Sequence, residues 1–278
     1  MKYQENFFPI TATPFSTVGY SEVLPCRELL PYVRCFWTSD SQMTNSPIIP
    51  DLCADIMIHI ESNPDADEER EITCIGFCGV SDKMFVSQKP ENLHQKIFGI
   101  RLYAWQAQRF ADERLSKTAN DFFDLRNHFE TLEKILRAKI FPTMTLNEFQ
   151  MIAESVLLSL LDRSDANLLH TETLVMEAIS TMIRTRGSLS QQQLLQDIHA
   201  SERQLERIFE HTLSLSPKKI SSIIRYQSLW QEVCRSPDFD IQDSVFAYGY
   251  FDQAHLLNDF RKYHGMSLSE ARNFAFKF

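Results

Sequence analysis

The 278-residue sequence predicts an α+β chain: a small β-rich N-terminal domain followed by helices, then a C-terminal all-α domain of two helix-turn-helix units joined by a linking helix. Three observations lead there. Apolar residues keep strand-like runs up to about residue 103 and take up helical spacing beyond it. Gly187-Ser188-Leu189-Ser190 punctuates the chain, and the helices after it become short and close together. Within that last segment, a pair of short amphipathic helices around a tight turn occurs twice. The expected domains are therefore 1–187, with strands over about 1–103 and helices over about 104–186, and 188–278.

The strands are expected at Asp55–Ile60, Ile72–Phe77 and Gln95–Tyr103, where apolar residues alternate or run unbroken over strand length. Ser46-Pro47, Ser62-Asn63-Pro64-Asp65 and Lys89-Pro90 mark turns between them, and the acidic run Asp65–Glu71 reads as a solvated loop. Ala104–Arg114 and Leu125–Leu136 read as helices, the second with Leu125, Phe129, Leu132 and Leu136 on one face. Thr145, with Glu148 three residues on, forms a capping box before an apolar run to Leu161. Leu161–Asn167 is a polar break. The next helix starts at Thr171 or Thr173 and runs to Arg186, with Gly187 as its C-cap.

The net charge of −9 is unevenly spread. Ten Lys/Arg against eleven Asp/Glu leave 188–278 at −1, so the acidity, −8, belongs to residues 1–187. Phosphate contact by the C-terminal part must then come from locally placed cations and helix N-termini rather than a basic surface. No apolar run approaches a membrane span and no signal-peptide pattern opens the chain, so a cytoplasmic location with no membrane partner is expected. Six cysteines, at 26, 35, 53, 74, 78 and 234, contain no C-x-x-C pair and read as buried thiols. A zinc or redox site drawn from Cys53, Cys74 and Cys78 is the alternative, without a matching histidine set; no metal or cofactor is expected.

In the first unit, Leu194, Leu195 and Ile198 form one stripe, and His199-Ala200 breaks the rhythm. Ser201 then caps a second helix with its stripe at Leu205, Ile208, Phe209 and Leu213. Its outer face carries Arg203, Glu206, Arg207 and Glu210. In the second unit, Ile241, Val245 and Tyr248 stripe a short helix, Gly249 makes the turn, and Asp252 caps a helix through Tyr263. That helix buries Leu256, Leu257 and Phe260 and offers Gln253, His255, Asn258 and Arg261. Between the units, Ser216-Pro217 opens a helix to Arg235, with Pro217 well placed at its first position. Each second helix suits the major groove, which admits one α-helix and exposes a distinct pattern for each base pair.

From Leu194 onward the sequence resembles the DNA-binding domain of the AraC/XylS family of bacterial transcription regulators. The resemblance rests on Ser201-x-Arg203-x-Leu205-x-Arg207-x-Phe209, Ser216-Pro217, Arg225, Ile241, Gly249-Tyr250-Phe251-Asp252-Gln253-Ala254-His255 and Phe260-Arg261-x-x-x-Gly265-x-Ser267, in order over about 85 residues. It implies a sequence-specific regulator of double-stranded DNA, an activator in contact with RNA polymerase, modulated by its N-terminal domain. Base-edge contacts fall to Arg203, Glu206, Arg207, Gln253, His255 and Asn258, and phosphate contacts to Lys218, Lys219 and Arg261. Chemically, Arg207 suits guanine, Gln253 adenine and Glu206 cytosine N4. The sequence departs from the family at His199 and Ser214, where glycine is usual, and at Leu268, where proline is. Asn258 stands where a basic residue is frequent. The alternative reading, motivated by the acidic balance, is a diverged regulator that acts mainly through protein partners with weak or no DNA binding.

Pro50–Asp55, with Trp37 upstream and Phe98–Leu102 downstream, resembles the N-terminal domain of one subgroup of that family, with Leu52 in place of a usual glycine. This implies a small β-rich domain for sensing a small-molecule or protein effector. Trp37, Phe98, Tyr103 and Trp105 are the candidate walls of a ligand pocket, with Arg101 as an anion anchor, although filling a core is the commoner use of such aromatics. No phosphate loop, nucleophile elbow or zinc signature is present, so no catalytic residues are expected. A monomer and a homodimer both fit.

Overall fold

The computed structural model describes residues 7–15, 19–40, 47–62, 70–86, 94–161, 168–236 and 238–277. Lys89-Pro90, residues 63–65, most of the acidic run, Ser46 and residues 162–167 fall outside the described residues. Six strands, β1 (Tyr20–Val23), β2 (Val33–Ser39), β4 (Cys53–Ser62), β5 (Arg70–Cys78), β7 (His94–Tyr103) and β8 (Phe122–Asp124), form one antiparallel sheet in the order β1-β2-β7-β4-β5-β8. A second ladder pairs β3 (Pro47–Ile48) with β6 (Phe85–Val86).

Strand alternation decides which side chains meet. Ala54, Ile56, Ile58 and Ile60 of β4, Phe98, Ile100 and Leu102 of β7, and Ile75 and Phe77 of β5 are buried on one face. They lie under α1 (Glu130–Lys139) and α2 (Leu146–Leu161), where Phe149 stacks on Phe98 with ring centres 4.8 Å apart. Each such burial contributes about 1.5–3 kcal/mol. On the opposite face Cys35, Arg101, Asp55 and Cys78 form one row across four strands. The next row is Trp37, Gly99, Met57 and Gly76. Gly99 is required there because any β-carbon would sit 2.0 Å from the Trp37 indole.

The N-terminal helices differ in detail from the sequence expectation. Ala104–Phe110 is a 3-10 segment, and the chain is extended by Ala111. Ala104, Ala107 and Phe110 are buried at three-residue spacing, the period of the tighter helix. Leu125–Asn127 is a 3-10 turn held by the Asp124 carboxylate, which accepts from the Arg126 amide, and α1 starts only at Glu130. Thr145 does form its capping box with Glu148. Helix α3 (Leu168–Arg184) begins ahead of Thr171 and ends two residues before Arg186.

The remaining helices are α4 (Gln191–Asp197), α5 (Glu202–Leu213), α6 (Pro217–Arg235), α7 (Ile241–Ala247), α8 (Gln253–His264) and α9 (Leu268–Ala275). They share one apolar cluster with α3 through Val175, Ala178 and Met182. The N-terminal residues Phe7, Ala12, Leu52, Tyr103 and Trp105 enter the same cluster. Helix α6 lies at its centre. Ile220, Ile223, Ile224, Tyr226, Leu229, Trp230 and Val233 are completely buried. Gln227 of α6 donates to the Pro50 and Ile10 carbonyls (2.7 and 3.2 Å) and accepts from the Ile10 amide (3.1 Å). Trp230 donates to the Thr11 carbonyl at 3.0 Å. No described helix is long and apolar enough to cross a membrane.

Candidate nucleic-acid interface

Each helix of the two units starts on a side chain that satisfies its free amides. Ser190 caps α4 with a capping box to Gln193, Ser201 caps α5, Ser216 caps α6, and Asp252 accepts from the His255 amide at the start of α8. Such caps contribute about 1 kcal/mol each. The turns depend on left-handed backbone. Gly249 and Gly265 adopt it at no steric cost, but His199 (φ 52°), Ser214 (φ 54°) and Leu52 (φ 61°) adopt it too. The glycine geometry therefore persists at all three positions where glycine is missing. Ser214 is compensated: its hydroxyl donates to the Leu115 carbonyl at 2.6 Å and accepts from the Thr118 amide at 3.0 Å.

On α5, Arg203, Glu206, Arg207 and Glu210 are exposed at three- and four-residue spacing, opposite buried Leu205, Phe209 and Leu213. On α8, Gln253, His255 and Asn258 are exposed, opposite buried Leu256 and Phe260. The His255 ring turns toward the Tyr250 ring, 5.2 Å away, and borders a cleft of about 590 Å³ between α4, α6 and α8. Lys218, Arg225 and Lys262 also line this cleft, where Asp259 is the one carboxylate, bonded by the Tyr250 hydroxyl. The cleft is thus electropositive although 188–278 as a whole is not. Lys262 did not stand out in the sequence, because only folding sets it beside Lys218. Arg225 holds the units together: its guanidinium donates twice to the Gly187 carbonyl (3.1 and 2.8 Å) and lies over the Tyr250 ring.

Of the three cations expected at phosphates, Lys218 and Arg261 are exposed. Lys219 is not free: its ammonium meets the Asp82 carboxylate at 2.8 Å. Partial burial raises Asp82, but its bonds with Lys219 and Asn120 outweigh this and hold the carboxyl below its ordinary value. Asn120 accepts from the Asp82 amide and from Ser81. The β5–β6 connection and the loop before β8 therefore grip the start of α6.

The structure separates the five aromatic and basic residues expected around a ligand pocket. Phe98 faces the helices, in the core with Phe149. Trp37 and Arg101 share the other face and meet at Asp55, which accepts from the indole at 2.7 Å and from the guanidinium at 3.1 Å. Tyr103 and Trp105 stack 5.0 Å apart in the cluster around α6. Arg101 also pairs with Asp51 at 3.5 Å, so two carboxylates already surround one cation and offer an anion no spare charge. Burial raises the Asp51 carboxyl. Burial also pushes the Cys35 and Cys78 thiols up to about 12 and the Cys53 thiol higher than usual, which keeps them protonated and unreactive at neutral pH. Among the described residues no cluster suits a metal ion.

Comparison with known proteins bears on both parts. Residues 194–273 match the model of a helix-turn-helix domain family, and residues 21–124 match a domain family of unknown function (DUF6597). No curated protein matches the chain. Solved structures similar to it include ToxT from Vibrio cholerae O395, 9% identical over 87% of this chain and 99% of that one, at a TM-score of 0.45. Unsaturated fatty acid bound wild-type ToxT from Vibrio cholerae strain SCE256 is 9% identical over 94% and 96%, at 0.41. The match over residues 194–273 identifies the C-terminal part as a helix-turn-helix domain.

A residue other than glycine in the left-handed region costs about 1 kcal/mol. His199→Gly should therefore raise unfolding stability by about that amount in a denaturant titration. Ser214→Gly should gain less or lose stability, because it removes the bonds to Leu115 and Thr118.

Proposed function

We propose that the chain binds a specific operator by laying α5 and α8 in two successive major grooves, and that its N-terminal domain modulates this binding. What supports the reading is the pair of capped helices with exposed polar faces, α5 and α8, joined by α6, whose apolar side is completely buried. Arg207 pairs bidentately with guanine, Glu206 accepts from cytosine N4, and Gln253 pairs with adenine. Arg203, His255 and Asn258 complete the contacts to base edges. Lys218 and Arg261 hold phosphates and set the register. The cleft between the units, rather than the net charge, supplies the local positive field.

Modulation follows from Lys219. While Asp82 holds it, Lys219 is withheld from DNA. The bond from Thr118 to Ser214 and the contact of Met84 with Gly265 belong to the same seam. A small-molecule or protein effector on the N-terminal domain acts by tightening or loosening this grip. RNA polymerase is the partner through which bound regulator changes transcription.

The test is selection from a random DNA pool with the whole chain, since α3 packs into the core of the C-terminal helices and a fragment from 188 would lack it. A discrete site should emerge, and Arg207→Ala should cost about 1–3 kcal/mol and relax preference at one base pair. Failure to enrich any sequence contradicts the proposal and favours a regulator acting through protein partners. Asp82→Asn should free Lys219, strengthen DNA binding and steepen the dependence of log affinity on log salt by about one unit. An unchanged slope in a salt titration means that the ion pair does not regulate.

A further inference from the structure

The two reading helices present different chemistry. Every exposed residue on α5 from Glu202 to Glu210 is charged: Glu202, Arg203, Glu206, Arg207 and Glu210. The second unit also exposes Asp252, His255, Arg261 and Lys262, but at the start of α8 it adds amides and apolar groups that α5 lacks. Phe251 is 89% exposed, and Gln253, Ala254 and Asn258 are exposed beside it. A phenyl ring left almost wholly in water gains by burial wherever a partner supplies apolar surface. Its position names that partner. Phe251 directly precedes the N-cap Asp252, at the end of α8 that meets base edges when a recognition helix enters the groove. The backbone there is fixed: Asp252 accepts from the His255 amide at 2.7 Å, and the Phe251 amide points to His255 Nδ1. Ala254, three residues on, adds a methyl group on the outer face beside Asn258.

In the major groove, the apolar group on a base edge is the thymine C5 methyl, met by Phe and Ala side chains, while Asn and Gln pair with adenine. Arg and Glu suit guanine and cytosine. We infer that Phe251, with Ala254, reads thymine methyl groups, so that the operator has two chemically unlike halves: a G·C-containing half under α5 and an A·T-rich half under α8. This rests on the DNA-reading function proposed above and specifies its target.

The test uses the whole chain and the site recovered by selection. Thymines in the α8 half are replaced by deoxyuridine, which lacks only the methyl. Each contacted methyl should be worth about fourfold in affinity, from the usual value of a buried methylene. Phe251→Ala should abolish the difference between thymine and deoxyuridine, and Phe251→Leu should retain most of it. Phe246→Ala, at a ring 85% exposed on α7 rather than at the start of α8, should leave the difference intact. An A·T-rich half with this coupling supports the inference. A G·C-rich second half, equal binding of thymine and deoxyuridine, or a Phe251→Ala protein that still discriminates them overturns it and leaves the DNA-reading function standing. Failure to select any site overturns both.

Discussion

Helix α6 is buried on all but one narrow stripe of its circumference, and the rest of the molecule is arranged by that fact. Lys218, Ser222, Ser228, Glu232 and Arg235 keep access to water along that stripe, but Gln227, Tyr226 and Trp230 lie wholly inside. Each polar group on the buried faces must find a partner or cost about 1–3 kcal/mol. Gln227 satisfies the Ile10 and Pro50 backbone, Trp230 the Thr11 carbonyl, Arg225 the Gly187 carbonyl, and Tyr226 bonds His264 at 2.8 Å. Burial lowers His264 to about 4, so it stays neutral while stacked on Phe260. These bonds tie α6 to residues near the N-terminus, to the entry of the first unit and to the end of the second. The spacing of α5 and α8 follows from a single buried rod.

The same helix joins the N-terminal part to the C-terminal units through the Lys219–Asp82 pair, on which the proposed modulation rests. Its exposed first turn carries Lys218 and Lys219, one free for a phosphate and the other engaged by Asp82. A domain with net charge −1 needs each of its cations in the right place, so the loss of one to a carboxylate matters more than it would on a strongly basic surface. Ser214 sits at the same seam, and its strained backbone is balanced by bonds to Leu115 and Thr118.

Much of this was legible in the sequence because it is local. Strands β4, β5 and β7 carry apolar runs of strand length, and Ser190, Ser201, Ser216 and Asp252 announce the helices they cap. The missing elements had weak local signals. β8 is three residues long and exists because β5 offers it an edge. Helix α9 is the exception, because its capping box of Ser267 and Glu270 is a local signal. The 3-10 segment at Ala104–Phe110 looked like an α-helix because both periods fit so short a stretch. The Asp82–Lys219 pair joins residues far apart in the chain, and nothing near either one marks it. The grouping of Phe98 with Arg101 could have been doubted beforehand, since residues three apart on a strand face opposite ways.

The central claim is that buried α6 fixes the distance between the two reading helices. It is tested most directly by measuring affinity as base pairs are inserted between the two halves of the selected site. A rigid α6 predicts one favoured spacing, about one helical turn of roughly 34 Å between half-site centres. Any insertion should reduce binding to the level of a single half-site, and a full extra turn of DNA should not restore it. Equal affinity across several spacings would contradict the account, because the two units would then have to move independently of α6.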